Sequence, residues 1–203
     1  MIPKVEFVYS YPYDMSLFRL AGKKWDRSYI KVTLKRIKTL EKAWRKVEKK
    51  IFSEMVKATG FKWKEKKITC FIVNCGGCFS HPLTVRILGR NERKMSNEQI
   101  IDILTHELIH VFLVSNNVHK KEKLWNGFKK EAMGTKTHIY VHALHKHLYL
   151  KLFAKRRLKK EINKAKWLDS IIQLGYSRAW EIVEEYGHEN LLKRLKNAVK
   201  RRR

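Results

Sequence analysis

The chain has 203 residues, with 46 lysines and arginines against 19 aspartates and glutamates, a formal net charge of +27 and three cysteines. Such a length holds one good core with an appended piece. No stretch is apolar for long enough to span a membrane, and the start, Met1-Ile2-Pro3-Lys4-Val5, lacks the basic-then-apolar pattern of a signal peptide, so the expectation is an intracellular, cytoplasmic protein with no membrane partner. A positive field of this size attracts polyanions, and nucleic acid bound through its phosphates without sequence preference is the natural candidate. Excess lysine with scarce glutamine also fits a thermophile's solvated surface.

Residues 1–27 read as an irregular N-terminal arm, with Tyr11-Pro12-Tyr13 near its middle. Such an arm is placed to lie over a sheet or to cross a cleft as an inhibitory segment. From Ile30 to Met55, apolar residues recur at three- and four-residue steps (Ile30, Leu34, Ile37, Leu40, Trp44, Val47, Ile51, Met55). This spacing predicts one long amphipathic helix covering a sheet, with Gly60 as its left-handed cap. Lys67–Asn74 is β-branched and aromatic, a strand. Cys75-Gly76-Gly77-Cys78 follows, and Cys70, Cys75, Cys78 and His81 raise the question of a second metal site or redox pair. The favoured reading is a glycine loop with reduced thiols, since a ribbon-type site needs a second cysteine pair. Pro82–Gly89 alternates Leu83, Val85 and Ile87 with Thr84 and Arg86, which suits a sheet edge with one buried face. A free edge of that kind pairs with an extended peptide in a sequence-tolerant way.

Ser96 or Asn97 then offers an N-cap, with Glu98 and Gln99 in the first turn. The run to Leu113 is apolar on most sides and must be buried. Inside it stands His106-Glu107-Leu108-Ile109-His110. Positions four apart share a helix face, so His106 and His110 can place two nitrogens on one metal ion. Glu107 lies beside that face, where a carboxylate can deprotonate a water that the metal activates. A catalytic zinc needs a third protein ligand. A metzincin-type third histidine is excluded, because Asn116 occupies its position. His138 and His142, four apart on a second helical stretch, are the favoured candidates, His138 ahead; Glu131 is the fallback and His119 comes third. Beyond residue 150 the chain reads as basic helices, Glu161–Leu174, Ser177–Tyr186 and Glu189–Val199, broken at Gly175 and Gly187. Basic clusters stand at 155–160 and at 200–203.

The His106–His110 helix resembles that of the zincin metallopeptidases, of the minimal gluzincin-like type found in archaea and viruses. It is also similar to the SprT-like proteases, in which such a helix runs into Asn-Asn and a loop bearing a histidine; here Asn116-Asn117 is followed by His119. The resemblance covers about residues 28–150. It implies an α+β, zincin-like fold, with a small antiparallel or mixed sheet packed on the His106–His110 helix and on the long upstream helix. The expected domains are the arm (1–27), a catalytic domain (28–154) and a basic helical C-terminal extension (155–203). The expected activity is a zinc-dependent metallopeptidase, an endopeptidase acting on peptide or protein substrates through Glu107 as general base. Two alternatives accompany it: a nucleic-acid-associated protein with a structural zinc, and a DNA-stimulated SprT-like protease.

Overall fold

The computed structural model describes residues 2–89 and 93–200. It is an α+β protein with a four-stranded mixed sheet. By their internal contacts the residues form two compact units. One holds the chain up to Lys49 together with Lys64–Val111; the other holds Lys50–Trp63 and the chain from Phe112 onward.

In the first unit, β1 (Lys4–Val8), β2 (Lys67–Val73), β3 (Phe79–Ser80) and β4 (Leu83–Arg86) lie in the order β1-β2-β4-β3. β1 and β4 both run parallel to β2, with Lys4 beside Lys67 and Phe71 beside Thr84; β3 turns back antiparallel on β4. Parallel pairing of β1 with β2 requires a long crossover. Helices α1 (Tyr11–Leu20) and α2 (Ser28–Arg45) and the start of α3 (Glu48–Thr59) lie along that connection. Two expectations are corrected here. The N-terminal segment is not irregular: it supplies β1 and α1. β4 is not an edge: β3 covers its outer side and Thr84 is fully buried, so the free-edge role expected of this strand falls.

The N-terminal segment is held by burial and by satisfied polar groups. Asp14 on α1 is fully buried. It accepts hydrogen bonds from the Asn74 backbone N–H (2.8 Å), Asn74 Nδ2 (2.8 Å), the Tyr9 hydroxyl (3.0 Å) and Trp25 Nε1 (3.3 Å). A buried carboxylate needs such donors to offset its lost hydration.

The expected single helix over residues 30–55 is two, α2 and α3, with a turn at 46–47. The apolar period runs through the break, so the cause lies elsewhere. Glu48, at the start of α3, accepts from the Val5 backbone N–H (2.8 Å) and from Trp44 Nε1 (2.9 Å), and it pairs with Arg45. Arg45 in turn donates to the Val5 carbonyl at 2.7 Å. The bend lets one side-chain pair serve the outer backbone groups of β1. Gly60 closes α3 at φ +74°, as its position predicts.

α4 (Asn97–Ser115) starts with a reciprocal capping box. The Gln99 N–H donates to Ser96 Oγ (3.1 Å) and the Ser96 N–H donates to Gln99 Oε1 (2.8 Å). Ile100, Leu104, Leu108 and Ile109 are fully buried.

The second unit begins with an aromatic cluster. Phe52 and Trp63 meet edge to face at 4.8 Å, and Trp63 meets Phe112 at 4.7 Å. After a 3-10 turn (Val118–Lys120) and the short α5 (Glu122–Trp125) comes α6 (Met133–Leu152). α7 (Lys155–Ile172), α8 (Tyr176–Tyr186) and α9 (His188–Lys200) follow, with Gly175 and Gly187 at positive φ between them. The C-terminal helices expected as an extension pack on α6, burying Ala179, Trp180, Val183, Leu191 and Leu195 with Tyr140, Leu144 and Leu148. Of the basic end at 200–203, Arg201 to Arg203 lie outside the described residues. No helix among the described residues is long and apolar enough to cross a membrane.

Candidate metal centre

His106 and His110 sit on one face of α4, both half-buried. Their Nε2 atoms are 3.2 Å apart and their rings lie at 64°. Two imidazole nitrogens bound to one tetrahedral metal at ordinary bond lengths stand about 3.4 Å apart. The pair is therefore already pinched to nearly that separation. Glu107, also half-buried, stands beside His106 in the same turn. Its negative charge reaches Cys70 on β2. The Cys70 thiol is held well above its usual pKa, first by burial and then by the fields of Cys78 and Glu107.

His138 on α6 is buried, at 8% exposure. Its Nδ1 lies 2.8 Å from the Gly134 carbonyl oxygen. A carbonyl only accepts, so Nδ1 carries the proton and Nε2 keeps the lone pair that a metal ligand needs. Burial lowers the pKa of His138 to about 4, against the opposing pull of the Gly134 carbonyl and Asp169, so the ring is neutral at physiological pH. The Gly134 carbonyl is the part of this arrangement that the sequence reading did not single out. The signal was present, because a helical histidine has the carbonyl of the residue four before it within reach.

His106 and His110 belong to the first unit and His138 to the second; within the first unit, the pair brings two ring nitrogens together as metal ligands do. The other candidates stand elsewhere. His142 is buried with its ring stacked on Trp180 (4.3 Å, 13° between planes). Glu131 pairs with Arg178 at 3.0 Å. His119 is exposed on the 3-10 turn. Imidazole donors suit zinc and related transition metals rather than calcium or magnesium, which take oxygen ligands.

No family model, no curated protein and no solved structure matches the chain.

Proposed function

We propose that the chain is a zinc-dependent hydrolase of peptide bonds, with His106, His110 and His138 as metal ligands and Glu107 as general base. The observation that carries this reading is the 3.2 Å approach of the His106 and His110 Nε2 atoms on a helix that also carries Glu107 between them. Zinc at such a site acidifies water and polarises a carbonyl. Glu107, outside the ligand group, accepts the proton of the attacking water and returns it to the leaving amine. The Gly134 carbonyl holds the His138 ring in the tautomer that presents Nε2. The choice of peptide substrates rests on the resemblance of the α4 motif to zincins.

The test joins metal analysis to activity. Purified protein is expected to carry one zinc per chain and to cleave an unfolded protein substrate. Glu107→Gln is expected to keep the metal and to lose about 10²-fold or more in turnover. Full activity in Glu107→Gln, or no zinc in the wild type after reconstitution, would sink the reading. The charge of +27 favours one elaboration, a peptidase stimulated by nucleic acid, which predicts faster cleavage when single- or double-stranded DNA is added.

A further inference from the structure

The segment after α1 turns back along that helix and leaves an open surface cleft of about 660 Å³. Its walls are aromatic. Tyr11 is 53% exposed, and its ring centroid lies 6.3 Å from that of Trp25 with the planes tilted by 36°. Trp25 is not a loose surface ring. Its Nε1 donates to Asp14, and Asp14 is anchored on Asn74 at the end of β2. One wall of the cleft is therefore tied to the sheet. Met15 adds an exposed thioether, and Gly22 at φ +65° leaves open space where a side chain would stand.

Two cations, Arg19 and Lys23, line the same cleft, and no acidic residue does. Arg19 is exposed and makes no ion pair with another described residue. The exposed Tyr11 ring and the half-buried Trp25 ring, beside the Arg19 guanidinium, complement a flat ring that carries negative charge. A hydrophobic peptide would leave the cations unused, and an acidic peptide would leave the rings unused. The formal charge of +27 adds a general attraction for polyanions. We propose that this cleft binds a nucleotide unit of single-stranded nucleic acid, with the base on Tyr11 and Trp25 and the phosphate on Arg19 and Lys23. A single strand is specified because stacking needs an unpaired base face. This site is independent of the histidine cluster and of any reaction there.

The probes are a fluorescent eight-nucleotide oligo-dT or oligo-U and the corresponding mononucleotide, titrated into full-length protein over a range of salt. Tyr11→Ala is expected to weaken oligonucleotide binding about tenfold, with its salt dependence unchanged and the melting temperature preserved. Arg19→Gln with Lys23→Gln is expected to weaken binding and to reduce the salt slope by about 0.7, the share of one phosphate on a single strand. Lys159→Gln with Lys160→Gln, two exposed cations on α7, serves as the equal-charge control and is expected to cost less. Strand binding far tighter than the mononucleotide names a strand as the ligand. Equal binding with the same dependence on Tyr11 names a free nucleotide, with the same cleft chemistry. Three results would overturn the proposal: no binding of either probe at low salt, wild-type affinity in Tyr11→Ala, or a control pair that costs as much as Arg19 and Lys23.

Discussion

Helices α4 and α6 each carry two histidines four residues apart, and the two pairs differ in almost everything else. On α4, His106 and His110 are half-buried and bring their Nε2 atoms to 3.2 Å. On α6, His138 and His142 are buried with ring centroids 5.4 Å apart, and each ring has its own neighbour. His138 is tied to the Gly134 carbonyl and packs on Tyr176 at 4.1 Å; His142 stacks on Trp180. The same spacing therefore yields a convergent pair in one helix and, in the other, two rings with separate partners, His138 on the Gly134 carbonyl and His142 on Trp180. Spacing sets which face a side chain occupies, and neighbours set where its nitrogen points.

The largest expected contrast is between two alanine variants. His110→Ala is expected to lose stoichiometric zinc with little change in stability, because the ring is half-buried. His142→Ala is expected to keep zinc and to lose about 2–4 kcal/mol of stability, since it empties a buried, stacked position. Metal analysis and thermal melts on both variants check this, and zinc loss in His142→Ala would break the contrast.

Gly175→Ala sharpens it from the side of α6. Gly175 has φ +75°, and an added Cβ would stand 2.5 Å from Thr135 Oγ1 and 2.8 Å from the Thr135 backbone nitrogen. The clash displaces the first turn of α6, which supplies the Gly134 carbonyl. The expected cost is about 1–3 kcal/mol, with zinc affinity weakened roughly tenfold through His138. A competition titration against a chelator reads the second effect. Ser96→Ala perturbs α4 alone by removing half of its capping box. It is expected to cost about 1 kcal/mol and to leave zinc affinity unchanged.

The smallest effect is one of pH. Burial pushes the Asp169 carboxyl upward, but the backbone N–H groups of Ser177 and Tyr176 outweigh it and hold the pKa below the ordinary 3.8. A carboxylate lowered on folding stabilises the native state above its unfolded pKa, and that contribution disappears as pH falls through the lowered value. Asp169→Ala should therefore melt below the wild type at neutral pH. The gap should close as the pH drops below about 3.8. A gap independent of pH would remove the electrostatic account.

The start of α4, its histidine pair, and the glycines that end α3, precede α8 and end α8 were legible because each signal is local. Ser96 and Gln99 make a cap within four residues, and Gly60, Gly175 and Gly187 take conformations that side chains disfavour. What escaped the sequence was non-local. β1 is five residues long and pairs in parallel with a strand some sixty residues away, so no turn announces it. The break between α2 and α3 lies inside an unbroken apolar period, and its cause is the bonding of Glu48 to β1. The covering of β4 depended on two residues of β3. His138 and His142 were indistinguishable by spacing, because Gly134 and Trp180 decide between them.

The anchoring of Asp14 on Asn74 bears on how the chain responds to a protease. Lys23, Lys24 and Arg27 lie exposed between α1 and α2, open to trypsin. A cut there severs the chain but does not release its first segment, which remains bound by the β1–β2 ladder and by the Asp14 carboxylate. The nicked protein should migrate as one species under native conditions and separate into two fragments in denaturant. Removing that segment would strip a strand from the sheet and leave the buried Asn74 backbone N–H without its acceptor, so shortening the chain from this end is expected to cost stability.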